Sequence, residues 1–95
     1  MTDEDKNLLE LAAKAAGFEA GWVIQGWNPI TDDGDALRLA VKLRILINPD
    51  SGYTNAINDL GGDFSSMHSN HDGDAMAATR RAIVRAAAEI GKVQP

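Results

Sequence analysis

Two short segments concentrate the carboxylate and imidazole groups that could bind a metal ion. The first, residues 32–35, reads Asp-Asp-Gly-Asp, and the second, residues 63–74, combines three aspartates with His68 and His71. Clustered carboxylates suit calcium or magnesium, whereas histidine with aspartate suits zinc or manganese. Neither segment is followed by the glutamate that completes an EF-hand loop. Because aspartate and glycine are also the expected residues of turns and helix N-caps, we favour a capping role and predict no metal or other cofactor.

The second segment also holds the residue types of a hydrolase. His68 and His71 lie close in sequence to serines at positions 65, 66 and 69. These residues share one predicted loop, whereas a catalytic base and nucleophile need separate rigid elements that hold one against the other. No glycine-rich phosphate loop follows a predicted strand either. The sequence therefore predicts that the protein is not an enzyme.

Composition limits the class of protein. The 95 residues predict a single domain spanning 1–95, and the absence of cysteine excludes disulfides and thiolate catalysis. An acidic start and the lack of an apolar run of roughly 20 residues predict a cytoplasmic protein with no membrane contact. The net charge of −5 disfavours nonspecific nucleic-acid binding, and the acids are too mixed with arginine to favour mimicry of DNA.

Three helices are predicted from apolar spacing and from end signals. The first runs from Glu4 to Ala16 with Gly17 as its left-handed cap. The second starts after Thr31 or Asp32, either of which could cap it, and is expected to be largely buried. The third runs from about Ala75, after Asp72 or Asp74, and Gly91 is expected to end it. We expect its inward-facing residues to be Met76, Ile83, Ala87 and Ile90.

The strands are predicted between these helices. Residues 22–27 are rich in β-favouring residues and apolar on both faces, which is typical of a sheet covered on both sides. Residues 44–47 and 53–57 flank a cluster of turn formers and predict a hairpin. Residues 58–73 are polar and glycine-containing and predict a loop, either functional or a connector. The predicted fold is an α+β, three-layer α/β/α sandwich of order α-β-α-β-β-α, with about three mostly antiparallel strands.

Two further segments carry a resemblance to a known family. Residues 27–43, with the run Trp-Asn-Pro and then Asp-Asp-Gly-Asp-Ala-Leu-Arg-Leu-Ala, together with residues 78–87 and the opening at 8–12, resemble the phage ABA sandwich domain family. The resemblance covers about half of the chain and implies a sheet between helical layers in a small phage or prophage protein. It implies no activity, substrate or catalytic residue. One departure is Arg44, which stands where family members often have glycine; a left-handed conformation there would cost on the order of 1 kcal/mol.

The resemblance, with the lack of a recognisable catalytic site, implies a small phage or prophage accessory protein that binds another protein, of phage or host, without catalysis. The alternative is a nucleic-acid-binding protein that uses the arginine-rich last helix. Tryptophan and arginine are over-represented at binding hot spots. The candidate interaction residues are Trp22, Trp27, Arg80, Arg81 and Arg85. The competing interpretation places the two tryptophans in the core and the arginines on a solvated, ion-paired face. The oligomeric state is open.

Overall fold

The computed structural model describes residues 2–17, 26–49, 53–58, 65–70 and 74–93. Three helices account for most of their regular structure, with 14, 11 and 19 residues against strands of 4, 6 and 6. The helices are α1 (Asp3–Ala16), α2 (Asp33–Leu43) and α3 (Ala75–Val93). The strands are β1 (Leu46–Pro49), β2 (Tyr53–Asn58) and β3 (Ser65–Asn70).

Local signals set the ends of α1 and α2. The Thr2 side chain accepts a hydrogen bond from the Asp5 backbone N–H at 3.1 Å, and Gly17 ends α1 in the left-handed conformation at φ 78°. Of the two predicted caps of α2, Asp32 is the one used, because its carboxylate accepts the Asp35 N–H at 2.8 Å. Arg44 ends α2 with φ 56° and ψ 42°, the left-handed conformation that usually requires glycine.

Helix α3 begins as predicted and ends later. The Asp74 carboxylate accepts the Ala77 N–H at 3.0 Å and so caps its start. The predicted stop at Gly91 is wrong, because the helix continues through this residue to Val93. A Cβ built on Gly91 would lie 2.9 Å from the carbonyl carbon of Leu11 in α1 and closer still to its oxygen. The glycine therefore permits the close approach of two helices and does not terminate one of them.

The three strands form one small antiparallel sheet. β1 pairs with β2 in a hairpin, with Ile47 opposite Ala56, and β2 pairs with β3, with Ala56 opposite Met67. The prediction of a loop over residues 58–73 is wrong for Asn58 and for 65–70, which are in strands; the remaining residues of that segment lie outside those described. Strands pair through backbone N–H and C=O groups, which every residue other than proline carries. A serine-rich segment can therefore pair with the second edge of β2 and complete the sheet.

The predicted three-layer α/β/α sandwich is wrong. In the described part of the chain the sheet packs mainly against α3, and α1 and α2 also pack against α3, so the central element is a helix and the sheet is not enclosed between helical layers. The order of described elements is α1-α2-β1-β2-β3-α3. Of the strand predicted at 22–27, residues 22–25 lie outside the described residues, and Gly26 and Trp27 are not in a strand.

The composition of α3 explains its central position. Its buried residues occur around most of the helix circumference, as expected of a helix that is covered on several sides. They are Ala78, Ala82, Ile83, Val84, Ala86, Ala87, Ala88 and Ile90. Most of them are alanines, and small side chains let α1 approach closely enough to bury Leu9, Ala12 and Ala16 at the same contact. The core is therefore formed around α3 and not around the sheet.

Candidate interaction surface

The segment before α2 is held by side-chain hydrogen bonds to the backbone. The Asn28 side-chain oxygen accepts the Ile30 N–H at 3.0 Å and the Thr31 N–H at 3.3 Å. The Asp35 carboxylate accepts the Asn28 N–H at 3.0 Å, so it reaches back across the turn and does not close a capping box on Asp32. These bonds fix the start of α2, and with it the direction in which the helix presents its side chains.

Each aspartate of the first acidic cluster has a structural partner. Asp32 caps α2, Asp33 forms an ion pair with Arg80, and Asp35 accepts from both Asn28 and Arg38. Within the described residues, no three histidine, aspartate or glutamate side chains lie close enough together to hold a metal ion. Of the second cluster, His68 lies in β3 and Asp74 caps α3, whereas residues 71–73 and Asp63 lie outside the described residues.

Arg80 ties α3 to the start of α2. Its Nε donates to the Ile30 carbonyl at 2.7 Å, and its Nη1 donates to the Asp33 carboxylate. The arginine side chain is only 17% exposed, so most of it is covered by these neighbours. Arg80 therefore positions two helices relative to each other, and little of its charge faces solvent.

The other arginines of α3 are also partly buried. Arg81 is 30% exposed and donates to the Asp5 carboxylate of α1 at 3.0 Å, where the carboxylate is 17% exposed. Arg85 is of intermediate burial and also has an interaction partner. Arg80 and Arg81 thus link α3 to α2 and to α1 through ion pairs.

Of the two tryptophans, only Trp27 lies within the described residues. Trp27 is 8% exposed and belongs to the core together with Leu39, Leu43 and Ile45. Its ring is therefore not part of the surface available to a partner. Trp22 lies outside the described residues, so its proposed contact role stays a prediction.

Large apolar side chains are instead exposed on α2 and on the first turns of α3. Leu37 is 60% exposed, Val41 is 71% exposed, and Met76 is 56% exposed. The predictions that α2 is largely buried and that Met76 faces inward are wrong at these positions. Ile83, Ala87 and Ile90 do face inward as predicted. Leu37 and Val41 are four residues apart and so lie one above the other on the outer face of α2.

Leu37 and Met76 form the two sides of an open groove between α2 and α3. The groove has a volume of about 210 Å³ and an almost entirely apolar lining. The remaining lining residues are Asp33, Ala36, Ile47, Thr79, Arg80 and Ile83. We call this feature the α2–α3 groove. Asp33 and Arg80 of the lining pair with each other. The other lining residues offer few groups that could form hydrogen bonds with a polar ligand.

Leu46 is exposed at a different place. It is 61% exposed, whereas its neighbour Ile45 is buried and Ile47 contributes to the groove. Successive side chains of a strand point to opposite faces, so Leu46 lies on the face of β1 away from α3. This gives the chain an exposed leucine outside the groove, with the same exposure as Leu37.

The groove was not predicted from the sequence, although an unusually wide apolar surface on α2 indicated it. Helix α2 carries apolar side chains at six of its 11 positions: Ala36, Leu37, Leu39, Ala40, Val41 and Leu43. An apolar stripe on a surface helix normally covers only about a third of the circumference. Leu37 and Val41 lie outside the buried stripe formed by Ala36, Leu39, Ala40 and Leu43.

Comparison of the chain with protein-family models, with curated proteins and with solved structures finds no match. Among the helices of the described residues, none is long and apolar enough to cross a membrane.

Proposed function

We propose that the protein is a non-catalytic protein-binding module and that the α2–α3 groove is its binding surface. The observation that carries this proposal is the exposure of Leu37 and Met76 in an apolar groove, with Val41 exposed one turn beyond Leu37 on α2. Exposed apolar side chains that are contiguous, and not scattered singly, are typical of interaction surfaces. The energetic gain of covering them is the burial of apolar area on association.

The size and chemistry of the groove support a protein partner over a small ligand. Its volume of about 210 Å³ is below the roughly 300–1,000 Å³ usual for ligand and cofactor pockets. Such pockets also have several convergent polar groups that orient the ligand, whereas the polar groups here are Thr79 and the Asp33–Arg80 pair. An apolar side chain of a protein segment fits a groove of this size and polarity better.

The alternative function, nucleic-acid binding through α3, has less support. Arg80 and Arg81 are partly buried and paired with Asp33 and Asp5. Affinity for nucleic acid comes largely from lysines and arginines that neutralise phosphates and release their counterions. Arg80 and Arg81 could do so only after their ion pairs were broken. The net charge of −5 also disfavours binding to the phosphate backbone.

We further propose that the protein comes from a phage or prophage and acts in the cytoplasm of a bacterial host. Its partner is then a phage or host protein. These proposals are supported by the resemblance of residues 27–43 and 78–87 to the phage family. The resemblance is one of motifs, and the proposed binding surface is derived independently from the exposed residues of α2 and α3.

Photo-crosslinking tests the proposed surface. A photoreactive residue replaces Leu37 in one variant and Leu46 in the control, which is equally exposed outside the groove. We expect a discrete protein adduct from position 37 in bacterial cells, absent from position 46 and reduced by Met76→Lys across the groove. Adducts that are the same from both positions, or none from position 37, would contradict the proposal.

A further inference from the structure

Two cations of α2 lie next to the Leu37–Val41 stripe, on its side away from the groove-lining Asp33 and Ala36. Arg38 follows Leu37 on α2 and forms an ion pair with Asp35, yet the arginine side chain is 74% exposed and the aspartate 17%. The guanidinium therefore reaches the surface while the carboxylate stays recessed beneath it. Lys42 lies four residues further along, beside Val41, and is also exposed. Helical spacing places Arg38 and Lys42 one turn apart along one flank of the Leu37–Val41 stripe.

This cationic flank is a local exception in an acidic chain. The whole protein carries 14 acidic and 9 basic residues, but the outer face of α2 beyond Asp33 presents Arg38 and Lys42 next to exposed apolar side chains. Asp33 is at the opposite, N-terminal end of the groove, where it pairs with Arg80. A segment lying over Leu37 and Val41 would thus meet positive charge along one side.

We infer that the α2–α3 groove binds an amphipathic helical segment of another protein, one that carries apolar residues for the groove and acidic residues for the Arg38–Lys42 flank. The inference rests on the proposed function and names the chemistry of its partner. An apolar groove between two helices accepts an amphipathic helix through anchors spaced one turn apart. Carboxylates on the partner complement the flank and raise the rate and specificity of association.

The same charges argue against a second copy of the chain as the occupant. A two-fold symmetric dimer places the same patch on both sides of the interface, so the Arg38–Lys42 flank would meet a patch that carries the same two cations and whose Asp33 and Asp35 are already paired with arginines. A head-to-tail arrangement would need an amphipathic helix on another surface, and the outer face of α1 offers chiefly polar exposed residues such as Lys6, Asn7, Glu10 and Lys14. Neither arrangement matches the groove and its flank together.

Two designed helical peptides of about 18 residues test the inference, a length at which helices are stable enough to compare. They share two leucines four positions apart and differ only in having glutamate or lysine along one flank. Binding to the full chain is measured by fluorescence anisotropy, and the contacted amides are located by nuclear magnetic resonance. We expect the acidic peptide to bind about 3- to 10-fold more tightly at low salt, with this preference reduced at high salt.

Matched variants identify the groups responsible. Lys42→Glu should abolish the preference for the acidic peptide, whereas Lys14→Glu, in the corresponding last turn of α1, should leave it unchanged. Leu37→Ser should weaken both peptides, and Leu46→Ser neither. All four positions are exposed, so each variant is expected to fold, which circular dichroism verifies.

Each result has a defined meaning. Equal or tighter binding of the lysine peptide at the groove overturns the acidic partner while leaving a protein-binding groove in place. Binding of neither peptide, binding with amide shifts outside the groove, or self-association that Leu37→Ser removes would each overturn the inference. The crosslinking experiment decides the proposed function separately, because it assumes nothing about the charge of the partner.

Discussion

The left-handed conformation of Arg44 makes a quantitative prediction about stability. Arg44 is the only non-glycine residue with positive φ among the described residues, at φ 56° and ψ 42°. Its backbone N–H approaches the carbonyls of Ala40 and Val41, so the conformation ends α2 by satisfying carbonyl groups that the helix leaves open. A side chain at such a position costs about 1–2 kcal/mol, because its Cβ crowds the backbone.

Replacing Arg44 by glycine removes that cost but increases the freedom of the unfolded chain. The second effect offsets about 0.5–1 kcal/mol of the gain. Arg44 is exposed, so the substitution removes little packing. We therefore expect Arg44→Gly to raise the free energy of unfolding by about 0.5–1 kcal/mol and the melting temperature by about 2–8 °C, given the usual entropy of unfolding for a domain of this size.

Chemical denaturation and calorimetry of three proteins test this expectation. Arg44→Ala is the control, because alanine removes the charge and the long side chain but keeps the Cβ, and it should give no comparable gain. Lys42→Gly, inside α2, should instead lower stability by about 1 kcal/mol. A drop in melting temperature for Arg44→Gly would show that the residue is not left-handed in solution. An equal rise for Arg44→Ala would assign the effect to charge and refute the backbone argument.

Three further substitutions test other parts of the structure by the free energy of unfolding. Gly91→Ala should destabilise the protein by about 1–3 kcal/mol despite the better helix propensity of alanine, because the new Cβ overlaps the Leu11 carbonyl; a stabilised variant would show that α1 and α3 are further apart. Asp32→Ala should cost about 1 kcal/mol by removing the cap of α2, and Asp32→Asn, which keeps an acceptor, should cost less. Arg80→Met should cost about 1–3 kcal/mol, because it leaves the Ile30 carbonyl without its charged donor; no loss would mean that the link from α3 to α2 is not formed.

The two ends of α1 and the start of α2 were predictable to within a residue because their causes are local. Gly17 ends α1 and Asp32 starts α2 through bonds to residues within four positions along the chain. The left-handed geometry considered for Arg44 is likewise a property of one residue and the preceding turn. Such signals depend on backbone groups that every helix leaves unsatisfied at its ends, so the sequence displays them directly.

The arrangement of the elements was not predictable in the same way. Gly91 has the usual signature of a helix stop, and only the position of α1 beside it explains why α3 continues. Alanines around α3 allow several packing partners without specifying which elements supply them. The prediction of a sheet covered on both faces depended on the strand at residues 22–27 and on the family resemblance, and neither contains information about the contacts of α3.

The exposed apolar residues of α2 and α3 were also not predictable from helical spacing. Leu37, Val41 and Met76 are apolar residues in helices, and helical spacing alone assigns them to the core as readily as Leu39 or Ile83. Which apolar side chains are covered depends on how many neighbours each helix has. Leu37 and Met76, which the core leaves exposed, line the α2–α3 groove.

The most direct test of the proposed function compares Leu37→Ser with Leu46→Ser in quantitative affinity purification from bacterial cells. Both leucines are exposed to the same degree, so the two variants lose the same chemical group from two different surfaces. The proposed groove predicts that a specific protein bound by the unmodified chain is lost with Leu37→Ser and retained with Leu46→Ser. Retention of that protein by Leu37→Ser, or equal loss from both variants, would contradict it.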